Sequence, residues 1–378
     1  MSIPDLAVSL PSAYDALVAK LTTLSSSGSD ELSRPTIRDV AALARVGLKT
    51  VSRVINNEPG VSPELRGRVL RAIEQIGYRP NLTASSLRRM DGKTATLGTV
   101  LENVANPFSS TLQRAVEDVA RTHGVMVFAS SADEDPERER ALVISFISRR
   151  VDGLIIVPTA ADQGYLAAER RAGLAVVFVD RPPRFLDADA VVSSNREGSA
   201  EAVRHLASHG HARIAFLGDL PGIYTAAERL AGFRDGMRDA GLGVDDALVR
   251  VGIHSVEAAI DAVTELLATA EPPTALYTAQ NLITEGAVHA LRRLDLQDRV
   301  ALVGFDDFPM ADLLQPAVTV VAQDPTRLGE LAASLLFRRL AGDRSPSETV
   351  TVPTTLVTRG SGEIRPGPGG RGPTPPGP

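Results

Sequence analysis

From Thr94 onward, nine short runs rich in Val, Ile, Leu and Phe alternate with stretches of helical periodicity, and this pattern sets the architecture of most of the chain. The runs cover residues 97–101, 125–129, 153–157, 175–179, 190–193, 213–217, 275–278, 301–303 and 318–321. Continuous apolar runs of this kind belong to strands buried on both faces of a parallel sheet. Their alternation with helices predicts an open α/β fold, and so many strands predict two such lobes in tandem. Ligands of open α/β sheets bind outside the carboxyl ends of the strands. The cleft between the lobes is therefore the expected small-molecule site.

The segment before Thr94 has a different character. Thr36 precedes Ile37 and is followed three positions on by Asp39, a capping-box-like helix start. Ile37, Val40, Ala41 and Ala44 then recur at helical spacing, up to Arg45-Val46-Gly47. A second periodic stretch turns Val51, Val54 and Ile55 inward and Leu48, Lys49, Ser52, Arg53 and Asn56 to other faces. Two short helices with a three-residue break form a helix-turn-helix pattern. A third helix opens at Ser62-Pro63, a serine cap followed by a proline at the first helical position. It runs through Leu65, Val69, Ile73 and Ile76 to a stop at Gly77.

Charge assigns this head a partner. Residues 34–93 hold 12 Lys/Arg and 5 Asp/Glu, whereas the remainder holds 28 and 41. A basic head on an acidic body predicts that the head alone meets a polyanion. A helix fits the major groove of DNA. Leu48 and Lys49 are expected to face base edges, and Arg53 a guanine or a phosphate. Thr36, Thr50, Ser52 and Asn56 are expected to hold phosphates, contacts that position without specifying.

Several ordered motifs resemble the lactose-repressor (LacI/GalR) family of bacterial transcription regulators. They include Thr36-Ile37-Arg38-Asp39-Val40-Ala41, Thr50-Val51-Ser52-Arg53-Val54-Ile55-Asn56, Val61-Ser62-Pro63 and Ile76-Gly77-Tyr78-Arg79-Pro80-Asn81. Further on come Asn106-Pro107-Phe108, Asp133-Glu134-Asp135-Pro136-Glu137-Arg138, Arg149-Arg150-Val151-Asp152-Gly153, Glu228-Arg229-Leu230-Ala231-Gly232-Phe233 and Gly304-Phe305-Asp306-Asp307. The resemblance implies an all-α helix-turn-helix head and a two-lobed periplasmic-binding-protein-like (Rossmann-like) sensor with parallel sheets. It also implies a hinge helix over 81–87 in which Asn81, Ser85 and Leu87 contact DNA, with Leu87 wedged into the minor groove. Such a wedge unstacks a base step and bends the duplex. The implied layout is an extension at 1–33, the head at 34–79, the hinge and linker at 80–93, and the sensor at 94–359. Its lobes cover 94–192 with 325–349, and 193–322 with 350–359, so the chain crosses near Ser193, Gln323 and Thr349. The Gly/Pro-rich tail at 360–378 reads as disordered.

At positions matched to the family's cleft stand Phe108, Asp180, Asn195, Thr225, Arg229, Gln280, Asn281, Asp306 and Gln323. Converging Arg, Asp, Asn and Gln suit a polyhydroxylated ligand, a sugar or sugar phosphate, because each hydroxyl both donates and accepts. Phe108, Tyr224 and Phe305 are candidates to cover a sugar face. Three departures from the family pattern stand out. Arg45 replaces a usual Gly, Gly47 a usual Ser, and Gln280-Asn281 a common Asn-Asp.

Enzymatic signals are thin. Without cysteine there is no disulfide, thiol nucleophile or Cys-based zinc site. His205, His209 and His211 have metal-like spacing but no zincin glutamate between them. Gly92-Lys93-Thr94 lacks the earlier glycine of a phosphate loop. The acidic run 133–139 reads as a helix start. No run of about 18 apolar residues predicts a membrane span, and the N-terminal stretch, with Asp5 and Asp15 and no basic start, does not read as a signal peptide. The expectation is a cytoplasmic homodimeric regulator without cofactor or metal, binding a double-stranded operator under control of a small effector. A corepressor- or partner-dependent regulator, a solute sensor whose head marks only ancestry, and a sugar-binding enzyme are the alternatives.

Overall fold

The computed structural model describes residues 35–55, 58–79 and 93–367. It comprises two compact units that divide between Gly92 and Lys93. Asn56, Asn81, Ser85 and Leu87, the 1–33 extension and the tail beyond 367 lie outside the described residues.

In the first unit, α1 (Ile37–Ala44), α2 (Leu48–Ile55) and α3 (Pro63–Ile76) enclose one small core. Val40, Ala44, Val51, Val54 and Val69 are buried at its centre. The caps follow the sequence closely. Asp39 accepts from the Thr36 N–H and hydroxyl, both at 2.7 Å. Ser62 accepts from the Leu65 N–H at 3.3 Å, and Gly77 ends α3 in the left-handed region. Arg45 occupies that region too, with φ 51°. For a residue with a Cβ this costs about 1–2 kcal/mol. The strain is partly offset from α3, where the Arg68 guanidinium donates to the carbonyls of Ala44 (2.5 Å) and Arg45 (3.1 Å). Those carbonyls have no partner within α1, and a cation suits that end of the helix. Arg45→Gly is therefore expected to stabilise the head by about 1 kcal/mol. Thermal melts of the two proteins would show it, and an unchanged or lowered midpoint would contradict it.

The second unit carries two six-stranded sheets. The first orders its strands β11-β5-β4-β3-β1-β2 and the second β12-β10-β9-β8-β6-β7. In the first sheet these are β1 (Thr96–Leu101), β2 (Met126–Ser131), β3 (Gly153–Ile156), β4 (Ala175–Val179), β5 (Asp189–Ser193) and β11 (Thr349–Val352). In the second they are β6 (Ile214–Leu217), β7 (Val249–Arg250), β8 (Ala275–Thr278), β9 (Ala301–Phe305), β10 (Thr319–Ala322) and β12 (Thr355–Val357). The two orders are identical once β6–β10 are laid on β1–β5, so the sensor is a structural repeat. Every pairing is parallel except β10 with β12.

Helices cover both faces of each sheet, which is why the strands read as unbroken apolar runs. On the first sheet α4 (Pro107–Thr122) and α11 (Pro325–Leu340) cover one face, and α5 (Pro136–Ser148) the other. On the second, α7 (Asn195–Ser208) and α8 (Tyr224–Asp239) lie opposite α9 (Val256–Leu267) and α10 (Asn281–Arg293). A short helix, α6 (Ala167–Arg171), precedes β4.

Two boundaries differ from expectation. β11 pairs with β5 from Thr349↔Ala190 to Val352↔Ser193, so the third crossing falls at Pro353-Thr354 and not at Thr349. The segment alternates Thr and Val because it is an edge strand, which the search for continuous apolar runs passes over. Nor does order end at Gly360. The Ser361 hydroxyl donates to the Leu302 carbonyl (2.6 Å) and accepts from the Thr319 N–H (2.9 Å). Glu363 meets His205 at 2.6 Å, and the Ile364 carbonyl meets His211 at 2.7 Å. This stretch clips onto the second sheet, and two of the three histidines with metal-like spacing are used in holding it. Among the described residues no group of three or more potential metal-holding side chains comes together. No described helix is long and apolar enough to cross a membrane.

Candidate functional site

In the head, Val51 and Val54 anchor α2 in the core. Leu48, at the first position of that helix, is 47% exposed, and Lys49 beside it is exposed. An exposed leucine beside a lysine suits the floor of a major groove, where a thymine presents a methyl group and a guanine two acceptors. Thr50, Ser52 and Arg53 are half-buried, and the Arg53 guanidinium lies 3.8 Å from Glu58. Thr36 has both donors committed to Asp39. Its first role is therefore to cap α1.

In the sensor, one polar cleft gathers eight of the nine expected cleft residues. They are Phe108, Asp180, Thr225, Arg229, Gln280, Asn281, Asp306 and Gln323. The topology explains the gathering. In each sheet the order β2-β1-β3-β4-β5, or its counterpart, reverses direction at β1 or β6, and ligands bind at such switch points. Asp180 follows β4 and Asp306 follows β9, at equivalent places in the repeat. Both have a left-handed backbone, with φ 70° and 72°. Both donate their N–H at 2.9 Å to the neighbouring strand, Asp180 to Val191 and Asp306 to Val321. The strained turn aims each carboxylate into the cleft.

Asn195 stands behind the cavity. Its Oδ1 accepts from Arg229 Nε at 2.8 Å. Arg229 also donates through Nη1 to the Ala279 carbonyl (2.9 Å) and to Asp306 (3.3 Å). The guanidinium carbon lies 3.9 Å from the centre of the Phe305 ring. Phe305 is fully buried in the core of the second lobe, so it supports Arg229 by a cation–π contact and covers no sugar face. Tyr224 lines an adjoining pocket, which shares Glu134 and Arg181 with the first. Across the cleft, Asn281 Nδ2 donates to Asn106 Oδ1 at 3.1 Å.

Sequence reasoning missed Glu102, Asn106, Ser109, Glu134, Arg181 and Asp219, all of which line the cavity. Glu102 and Asp219 follow β1 and β6, so applying the strand-end rule to every strand finds them. Glu134 was absorbed into the acidic helix start. Asp135 alone caps α5, accepting from the Glu137 and Arg138 N–H groups. Glu134 turns the other way, with φ 54°, and binds Arg181 through both oxygens at 2.5 and 2.8 Å. Burial works against the Arg181 charge, but Glu134 and Asp180 outweigh it and push its pKa up. Burial raises Asp180 despite Arg181 and Arg229 nearby. Burial, then Glu134, pushes Glu102 up to about 7.

A helix-turn-helix head with an exposed second helix, and a two-lobed sensor with a polar interlobe cavity, define a ligand-sensing DNA-binding regulator. Residues 36–81 match the lacI family of bacterial regulatory proteins, and residues 203–362 match a periplasmic binding protein-like domain. The ribose operon repressor of Escherichia coli (strain K12) is 30% identical over 329 residues, 86% of this chain and 99% of that protein. The Lac repressor dimer bound to operator and the anti-inducer ONPF superposes with a TM-score of 0.78 at 26% identity, covering 87% of this chain and 99% of that one. The transcriptional regulator CelR in complex with cellobiose gives 0.64 at 30% identity, covering 87% and 100%. The chain belongs to the lacI family of transcription regulators, whose members are regulators and not enzymes.

Proposed function

We propose that this protein is a homodimeric repressor that leaves a near-palindromic operator when a hydroxyl-rich small molecule fills the interlobe cavity. The observation that carries the reading is the Arg229–Asp306–Gln323 chain, in which Arg229 and Asp306 are buried, lining the same cleft as Asp180 of the other lobe. Gln323 Nε2 donates to Asp306 Oδ1 at 2.6 Å. Fixed donors and acceptors of this kind reward a ligand whose hydroxyls do both. Filling the cavity favours one lobe arrangement, and a preference of a few kcal/mol is enough to shift the population that holds DNA.

Thr94 and Ala95, where the chain enters the first lobe, are clamped by Asp152, which accepts from their N–H groups at 2.7 and 2.8 Å. The start of the sensor is therefore fixed to its first lobe. The edge strand β2 leaves Met126 and Phe128 61% and 48% exposed, an apolar edge suited to a second copy.

The test is selection of bound duplexes from a random pool by the full-length protein, then release from the selected duplex by a panel of sugars. Failure to prefer any duplex over scrambled DNA at moderate salt would remove the reading. Within it, Arg53→Ala is expected to weaken the selected duplex by roughly 1–3 kcal/mol and to relax one base position. Equal titration curves for mutant and wild type would take Arg53 out of the readout.

A further inference from the structure

The charge balance of the cavity points to a narrower class of effector. Its wall carries five carboxyl groups, from Glu102, Glu134, Asp180, Asp219 and Asp306, against the two guanidiniums of Arg181 and Arg229, and a cation beside Glu102 would offset the burial that raises its pKa. Both guanidiniums are heavily committed. Arg181 serves Glu134, Asp180 and the Pro158 carbonyl. Arg229 serves Asn195, Ala279 and Asp306. Asp219 holds the His254 imidazole at 2.7 Å. The Glu102 carboxyl has no hydrogen-bond partner among the described residues.

The neutral groups lean the same way. Because Asp306 can only accept, the bond from Gln323 Nε2 fixes the orientation of that amide. Gln323 Oε1 is then an acceptor, and it is buried without a partner. Gln280 is more than nine-tenths buried, and its Oε1 also lacks a partner. An unpaired buried acceptor is costly and calls for a donor from the ligand. What the protein leaves unmet is therefore a demand for N–H and O–H donors and for positive charge. A phosphate or carboxylate supplies no donor for these acceptors, and it would meet a wall richer in carboxyl groups than in guanidiniums.

We propose that the effector is a polyhydroxylated primary amine of the amino-sugar class, with its ammonium against Glu102, and that phosphorylated and acidic sugars are excluded. This rests on reading the cavity as the effector site and replaces the expectation of a sugar phosphate. An ammonium brings three donors and no acceptor, which suits the unpartnered Glu102 carboxyl, while the ligand's hydroxyls supply donors to the amide oxygens.

The experiment is calorimetric titration of the full-length protein with glucosamine, galactosamine and mannosamine. Each is paired with its uncharged parent sugar and with the parent's 6-phosphate. At least one amine is expected to bind ten-fold or more tightly than its parent, with no binding of the phosphates. In Glu102→Gln, checked for an intact thermal transition, that advantage is expected to shrink to threefold or less. Glu102→Asp, which keeps the charge, is expected to retain most of it. Silence of all three amines, parity between amines and parents, or binding of a 6-phosphate would overturn the proposal. A preparation that holds its selected duplex and releases it for a neutral or phosphorylated sugar overturns only the amine. One that selects no duplex overturns the regulator itself.

Discussion

Asp306→Ala is expected to hold the selected operator within about threefold of wild type and to lose its response to effector, with effector affinity falling roughly 100-fold, about 2.7 kcal/mol. The carboxylate is 7% exposed and accepts from Arg229 on one oxygen and Gln323 on the other. Removing it strips the cavity of one charged acceptor and frees two donors to wander. Arg229 keeps Asn195, the Ala279 carbonyl and the Phe305 ring. The guanidinium is therefore not orphaned, and the fold should lose only about 1–3 kcal/mol. Alanine at φ 72° adds about 1 kcal/mol of backbone strain. Asp306→Asn separates the two costs, because asparagine tolerates the left-handed region and removes only the charge. It is expected to melt closer to wild type and still fail to respond. Gel-shift titrations with and without effector, beside thermal melts, check both. A normal response from either variant would mean that the effector binds elsewhere.

The head was legible from local signals because each of its features is local. Thr36 with Asp39, Ser62 with Pro63, and Gly77 act within a few residues of themselves. Even the cost of Arg45 follows from chirality alone. The strands were legible for a different reason. Burial on both faces leaves an unbroken apolar run, so 275–278 was read to the residue. The same rule fails at edges: Thr349–Val352 alternates, and Val249–Arg250 is too short to register.

In the cleft, position along a strand was readable and direction was not. Asp180 and Asp306 follow their strands and enter the cavity as expected. Phe305 belongs to the strand itself, one residue before that turn, and points into the core beneath Arg229. Asn195 begins a helix, and its side chain is used up in holding Arg229 from behind. Distant partners decide such cases. Whether Glu134 caps a helix or braces a cleft depends on Arg181, 47 residues away.

Gly232 carries the second large effect. It belongs to the Glu228–Phe233 motif, yet it touches no ligand-facing group. A Cβ built on it would lie 2.2 Å from the Arg196 carbonyl oxygen and 2.8 Å from Ser199 Cβ. One turn later, a Cβ on Gly236 would lie 2.7 Å from Val203 Cβ. The bare face of α8 thus rests directly on α7, and the first obstacle is backbone, which cannot swing aside as a long side chain can. That contact sets Arg229, on the first turns of α8, at 2.8 Å from Asn195 at the start of α7. Gly232→Val forces the helices apart, and overpacking of this kind is expected to cost about 3 kcal/mol. The Arg229–Asn195 bond breaks with it, so Arg229 no longer meets Asp306 at its present angle and the effector response goes too. Gly232→Ala, smaller by two methyl groups, should fall between the two proteins in both urea midpoint and response. If Gly232→Val instead unfolds at the wild-type midpoint and still releases DNA for effector, then the two helices have slack, and the position of Arg229 must be set by the strands beneath it.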